Sequence, residues 1–122
     1  MRSLIIITVA FFTTVCLMAL NFNHVNAVAE EMTSLTESLD MSDTKQCSTD
    51  IDEIERIWQK NEAVFSLSVS FRETDHLGET ILALRSAFEC RDLSEFEKQR
   101  ALLVDAIDGV ARLERFSVIN IF

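Results

Sequence analysis

Proline and tyrosine are absent from this chain of 122 residues, and glycine occurs only twice, at Gly78 and Gly109. All-β folds need turn residues about every 8 to 12 positions. Sandwiches and barrels are therefore excluded, and the expected fold is all-α. Basic residues are scarce too, with 11 Lys and Arg against 20 Asp and Glu. The deficit lies in the body of the chain, because Arg2 is the only charged side chain among the first 29 residues. An acidic body of this kind is repelled by phosphate backbones and by anionic lipid headgroups. Nucleic acid is excluded as a partner.

Signatures of chemistry are missing as well. There is no G-x-S-x-G, P-loop, G-x-G-x-x-G or EF-hand loop, and the acidic run Asp50-Ile51-Asp52-Glu53 has no glycine or alternating oxygen ligands for calcium. His24, His76, Cys47 and Cys90 show no metal-ligand spacing. His76 and Cys90 share a helix face but stand roughly 21 Å apart along the axis, so they cannot bind one ion, and His76 reads as a solvated or capping residue. Carboxylates are so abundant that a close pair such as Glu73 and Asp75 does not mark an acid-base dyad. No catalytic residue, metal or cofactor is assigned, and the expectation is that the protein is not an enzyme.

What the chain does have is an apolar head. Leu4 to Leu20 (LIIITVAFFTTVCLMAL) carries no charge, and its Thr8, Thr13 and Thr14 can bond to their own helix backbone. At about 1.5 Å per residue, the stretch extended to Phe22 reaches roughly 29 Å, close to the thickness of a hydrocarbon core. Residues 4–22 are expected to meet the membrane as a transmembrane helix. Arg2 before the helix and Glu30 and Glu31 after it place the N-terminus in the cytoplasm and the body outside. A cleaved signal peptide is the competing reading, since Val25-Asn26-Ala27 offers small residues for a peptidase. The length of the apolar run favours a retained anchor, and both readings export the body. Residues 1–27 thus form an anchor or signal segment and residues 28–122 an extracytoplasmic acidic domain. Cys16 lacks the small preceding residue of a lipobox and reads as lipid-facing.

Val28, Met32, Leu35 and Leu39 continue the helical phase of the head, so the anchor helix is expected to run on into a bundle. A turn is expected within Met41–Ser48. A second helix is expected from Asp50 to about Ser66, capped by Thr49 or Asp50, with Ile51, Ile54, Ile57, Trp58 and Phe65 inward. The alternating patch Ser66 to Phe71 reads as a bend or a weak helix. From Thr74, Leu77, Ile81, Leu84 and Phe88 restore the seam until about Cys90. Asp92 or Ser94 then caps a last helix, with Phe96, Leu103, Ile107 and Val110 buried beside Leu102 and Ala106. The whole is a small antiparallel helical bundle behind a transmembrane helix.

Cys47 and Cys90 straddle the expected bend almost symmetrically, so a fold-back there brings them together. Two readings stand: a disulfide, stabilising by roughly 3–4 kcal/mol on chain-entropy grounds, or two reduced thiols acting as small apolar groups. Trp58, the single tryptophan, is either the largest core plug or an exposed partner anchor, and its alignment with Ile51, Ile54 and Phe65 favours the core. Val118, Ile119, Asn120, Ile121 and Phe122 form an apolar segment that either packs back on the bundle or docks into a partner, and it is the best candidate for recognition.

An N-terminal membrane helix, one tryptophan early in an acidic helical body, Glu73-x-Asp75-x-Leu77 after a bend and a closing Ser117-x-x-Asn120-Ile121-Phe122 are found together here. The combination resembles a bacterial family of small membrane-anchored proteins known only as a domain of unknown function. The resemblance covers nearly the whole chain. It implies topology and no mechanism, and because such proteins resemble accessory proteins encoded beside multi-pass membrane proteins, it implies a membrane partner.

Overall fold

A computed structural model describes the backbone of residues 1–68 and 71–121, and the side chains of these except 21, 22, 64, 66–68, 71 and 114–121. Four helices account for nearly all of it: α1 (Arg2–Glu37), α2 (Thr44–Ser68), α3 (Phe71–Glu89) and α4 (Leu93–Ile121). They run up and down in turn. α1 packs on α2 and α4, α3 packs on the same two, and α2 and α4 barely meet across the diagonal. This is the antiparallel bundle that short connections impose on consecutive amphipathic helices.

α1 has two halves with different surroundings and no break between them. Its first half carries large apolar side chains that face outward, from Leu4 and Ile5 to Leu17 and Leu20, with Val15 and Met18 half-buried. It is long and apolar enough to cross a membrane. Thr8, Thr13 and Thr14 each donate their hydroxyl to the carbonyl four residues back, at 2.8 Å, so these three hydroxyls are satisfied within the helix. The second half buries Val25, Val28, Met32 and Leu39 in the core. The division at residues 27 and 28 therefore falls inside a continuous helix.

The core line is close to the one read from periodicity. Ile51, Ile54, Ile57, Trp58 and Phe65 of α2, Leu77, Ile81 and Leu84 of α3, and Phe96, Leu103, Ile107 and Val110 of α4 are all buried. Full burial of such side chains stabilises by about 1.5–3 kcal/mol each. Leu102 is an exception, 41% exposed, because Leu103 takes the inward position of that turn. Trp58 stacks on Phe65 with ring centroids 5.6 Å apart, and its indole lies against the backbone of Gly78 on α3. A Cβ at position 78 would stand 3.3 Å from the indole nitrogen. Gly78 is thus where α2 and α3 approach through a tryptophan.

α2 begins six residues earlier than the spacing of acids implied. Asp43 is the cap: its carboxylate accepts the Gln46 amide at 3.2 Å and its carbonyl accepts the Cys47 amide at 2.8 Å. The expected caps are used otherwise. Thr49 donates back to the Lys45 carbonyl at 3.0 Å, and Asp50 accepts from the Gln46 side chain at 2.9 Å, both inside the helix. Asp40 folds the preceding loop by accepting from the Ser42 hydroxyl and amide, bonds that hold its carboxyl below the usual carboxylate range. Arg100 of α4 donates to the Leu39 carbonyl at 2.8 Å, closing the end of α1. Arg85 of α3 forks onto Asp52 and Glu55 of α2.

α3 ends in a Schellman motif, with Arg91 donating to the Phe88 carbonyl and Asp92 to the Ala87 carbonyl. Arg91 adopts φ 54° there, where glycine is the unstrained choice. Asp92 then caps α4 by accepting the Glu95 amide at 3.2 Å.

Two predictions follow from this backbone. Arg91→Gly is expected to raise stability by about 0.5–1 kcal/mol, read as a higher melting temperature by circular dichroism, and a fall would show that the left-handed residue is held by something other than the cap. Gly109→Ala, with no atom within 4 Å of the new Cβ, is expected to gain about 0.5–1 kcal/mol of helix stability. Gly78→Ala in the same assay gains less or loses, because Trp58 must shift; equal gains would refute the tight indole contact.

Candidate functional site

An open groove of about 500 Å³ lies between α3 and α4. Glu73 and His76, one turn apart on α3, face Asp105 and Arg112 of α4 across a floor of Ala106, Gly109 and Leu113. The missing Cβ of Gly109 leaves the floor open. Arg112 is already paired with Asp108 at 2.6 Å. The groove can present both signs of charge to a partner, but water reaches every group in it. His76, read from sequence as a solvated or capping residue, is exposed and forms part of the wall of this groove. Pairing α3 with α4 created the groove, and the one trace of it along the chain was a glycine inside a helix.

The bundle interior offers no comparable space. Among the described residues, the void between Ala29, Met32, Phe65, Leu77, Ile107 and Val110 amounts to about 10 Å³, too little to hold more than a single water. No three His, Cys, Asp or Glu side chains among the described residues are grouped as metal ligands.

The two body cysteines are both free thiols in this structure and differ in environment. Cys47 points into the core from the first turns of α2 and is 1% exposed. Cys90 stands exposed at the end of α3. The hairpin of α2 and α3 does carry both to the same end of the bundle, yet one side chain faces inward and the other outward, and no bond joins them. Burial pushes the Cys47 thiol pKa up, and the carboxylates of Asp50 and Asp40 add to that, outweighing a bond at Asp40 and the charge of Arg100. Cys16 is exposed on the apolar half of α1. Trp58, 6% exposed, is interior and presents nothing to a partner.

At the other end of the bundle, His24 of α1 meets Asn61 of α2. The His24 ring nitrogen Nε2 lies 2.7 Å from Asn61 Oδ1, and Asn61 Nδ2 donates to the Ile57 carbonyl at 2.8 Å. Asn61 is buried, so His24 supplies a buried acceptor with its partner. Sequence reading gave neither residue a role. Val118, Ile119, Asn120 and Ile121 continue α4 as helix; their side chains, and Phe122 entirely, lie outside the described residues.

The thiols supply a test. On brief alkylation of the folded protein, Cys90 is expected to be modified and Cys47 to react at least about tenfold more slowly, as read by peptide mass. The raised Cys47 pKa has a definite sign: while both states keep the proton stability is unchanged, and once pH passes the ordinary thiol value of about 8.5 the unfolded chain loses its proton first and stability falls. Equal labelling of the two cysteines at neutral pH would overturn the buried placement.

No curated protein and no solved structure matches the chain. One family is matched over residues 19–121, which takes in the second half of α1 and the whole of α2, α3 and α4. The chain belongs to the family described as a domain of unknown function, DUF4363.

Proposed function

We propose that this protein is a membrane-tethered helical module without catalytic activity, whose acidic outer faces engage another envelope or membrane protein. The single observation that carries the reading is the division of labour within α1. The helix is long and apolar enough to cross a membrane, its first half exposes an apolar surface, and its second half is one wall of the bundle core. An apolar surface of that extent is found on proteins that insert it in lipid or cover it with a partner. The distribution of charge, Arg2 before the span and acids after it, directs the body outward. A non-enzymatic role is supported by a candidate groove whose charged groups are open to water, since desolvation is what ordinarily sets up acid-base chemistry.

The secreted alternative rests on cleavage after Ala27. That cut would remove Val25, 0% exposed, from the core and strip Asn61 of His24. The bundle is built to keep those residues, which supports retention of the helix.

Fractionation of expressing cells followed by intact-mass analysis tests this reading. The full-length chain is expected in the membrane fraction and to resist alkaline extraction. A soluble species beginning at Val28 would replace the tethered module with a secreted one.

A further inference from the structure

In a chain that is 25% charged, only three uncharged runs reach seven residues or more: residues 3–29, 63–71 and 116–122. Far apart in sequence, residues 15–20, 63–68, 71 and 116–121 of these runs arrive at one level of the fold. The register of the helices fixes this. Asn61 of α2 stands beside His24 of α1. Ile107, Asp108 and Ala111 of α4 share a groove with Asn26, Ala29, Glu30, Thr33 and Ser34 of α1. Both neighbours run antiparallel to α1, so each residue added to them climbs toward the apolar half of α1 by about 1.5 Å. Ser68, at the end of α2, lies seven residues beyond Asn61, and Ile121 lies ten beyond Ala111. Each brings its helix to about the height of Leu17. Val15 and Met18, spaced three apart on α1, are half-buried, whereas residues 4–14 are fully exposed, as a bundle reaching that height requires.

The consequence is a mismatch of lengths. Above the bundle, only Leu4 to Cys16 of α1 stand free, about 20 Å of helix, whereas a hydrocarbon core is about 30 Å thick. The remaining 10 Å or so is level with the ends of α2 and α4 and the start of α3. α2 from residue 63 and α4 from residue 116 carry no charge, whereas α3 has Arg72 and Glu73 directly after Phe71; the uncharged runs are bounded by Glu62 and Arg72 and by Arg115, and Arg72 and Arg112 are exposed. Arginine at this height can reach lipid phosphates while its stem stays apolar. The opposite end of the bundle, at residues 37–45 and 89–97, is crowded with Asp and Glu.

We infer that the end of the bundle nearest the span is itself seated in the lipid bilayer: the end of α2, the start of α3 and α4 from 116 to 121 dip into the acyl chains of the outer leaflet beside α1. This rests on the membrane reading above and deepens it. The anchor is then a cluster of helix ends around one spanning helix, and the acidic body is held at a fixed height and tilt with its acidic end farthest from the lipid. The occupant of this surface is lipid, because the three uncharged runs are continuous in height with the spanning segment.

The test uses the full chain in phosphatidylcholine vesicles, with Cys16→Ala, Cys47→Ala and Cys90→Ala as background and a single environment-sensitive label at Ala10→Cys, Leu67→Cys, Ile119→Cys or Ser94→Cys. Labels at 10, 67 and 119 are expected to lose emission to nitroxides on the acyl chains and to ignore aqueous iodide, with the reverse at 94. If 10 behaves as lipid-embedded while 67 and 119 are quenched by iodide, the span stands and the seated end is refuted. If 10 too is quenched by iodide, the membrane reading itself fails. Shielding of 67 and 119 from both quenchers would assign the surface to protein and overturn the proposal. Hydrogen exchange on the unmodified chain in the same vesicles gives a second reading free of substitutions. Amides in the last turn of a helix all donate to carbonyls four residues back, so those at 116–121 are expected to exchange at least about tenfold more slowly than those at 85–89, at the end of α3 that faces water, and equal exchange would refute it.

Discussion

A helix rises 1.5 Å per residue whatever surrounds it, and α1 does so for 36 residues without a break. Everything else in the molecule takes its height from that rod. The lower half is a wall of the bundle, pinned to α2 through His24 and Asn61 and to α4 through the groove at Ala29 and Ala111. The upper half is apolar on all sides. A kink or a flexible joint between the halves would leave the body free to turn; there is no proline or glycine in α1 to make one. The rigid rod is what lets a small domain hold a defined position relative to its apolar end.

The two ends of the bundle are finished in opposite ways, and the chemistry of each suits its surroundings. At the far end, the helix termini are closed by polar groups: Asp43 and Asp92 cap α2 and α4, Asp40 folds a loop through Ser42, Arg100 reaches the Leu39 carbonyl, and α3 ends in a Schellman motif at Arg91. Such capping serves termini that face water, where side chains and solvent can share the unpaired backbone groups. At the near end, charge vanishes from three separate parts of the sequence at one height. Among the described residues the core between the ends is closely filled, with Trp58 resting on Gly78 and Phe65 and a void too small for a ligand larger than water.

Much of this was legible along the chain, because helical periodicity and apolar length act locally. The seam Val28, Met32, Leu39, the run Ile51 to Phe65 and the line Phe96 to Val110 all turned inward, and the unbroken passage of α1 into the bundle follows from the phase they share. Local competition explains the misplaced start of α2. Thr49 and Asp50 carry the right side chains for a cap, but Asp43 lies at the chain reversal itself, and a helix begun there satisfies more backbone groups than one begun six residues later. The thiols show the same limit differently: spacing brought Cys47 and Cys90 to one end of a hairpin, and only the rotation of each helix set one inward and the other outward.

What the sequence by itself determined is the class of the fold and the nature of its two parts: an apolar spanning-length helix and an acidic helical body, both following from residue types and their period. The tertiary structure decided the register. That antiparallel helices bring Ser68 and Ile121 to the height of Leu17, that His24 partners Asn61, and that His76, Gly109 and Arg112 share a groove depend on how far each helix slides past its neighbour. A sliding distance is set by side chains interlocking between helices, such as Trp58 over Gly78 and Phe88 against Phe96. No single segment carries that information, because each contact exists only when two distant segments are packed together.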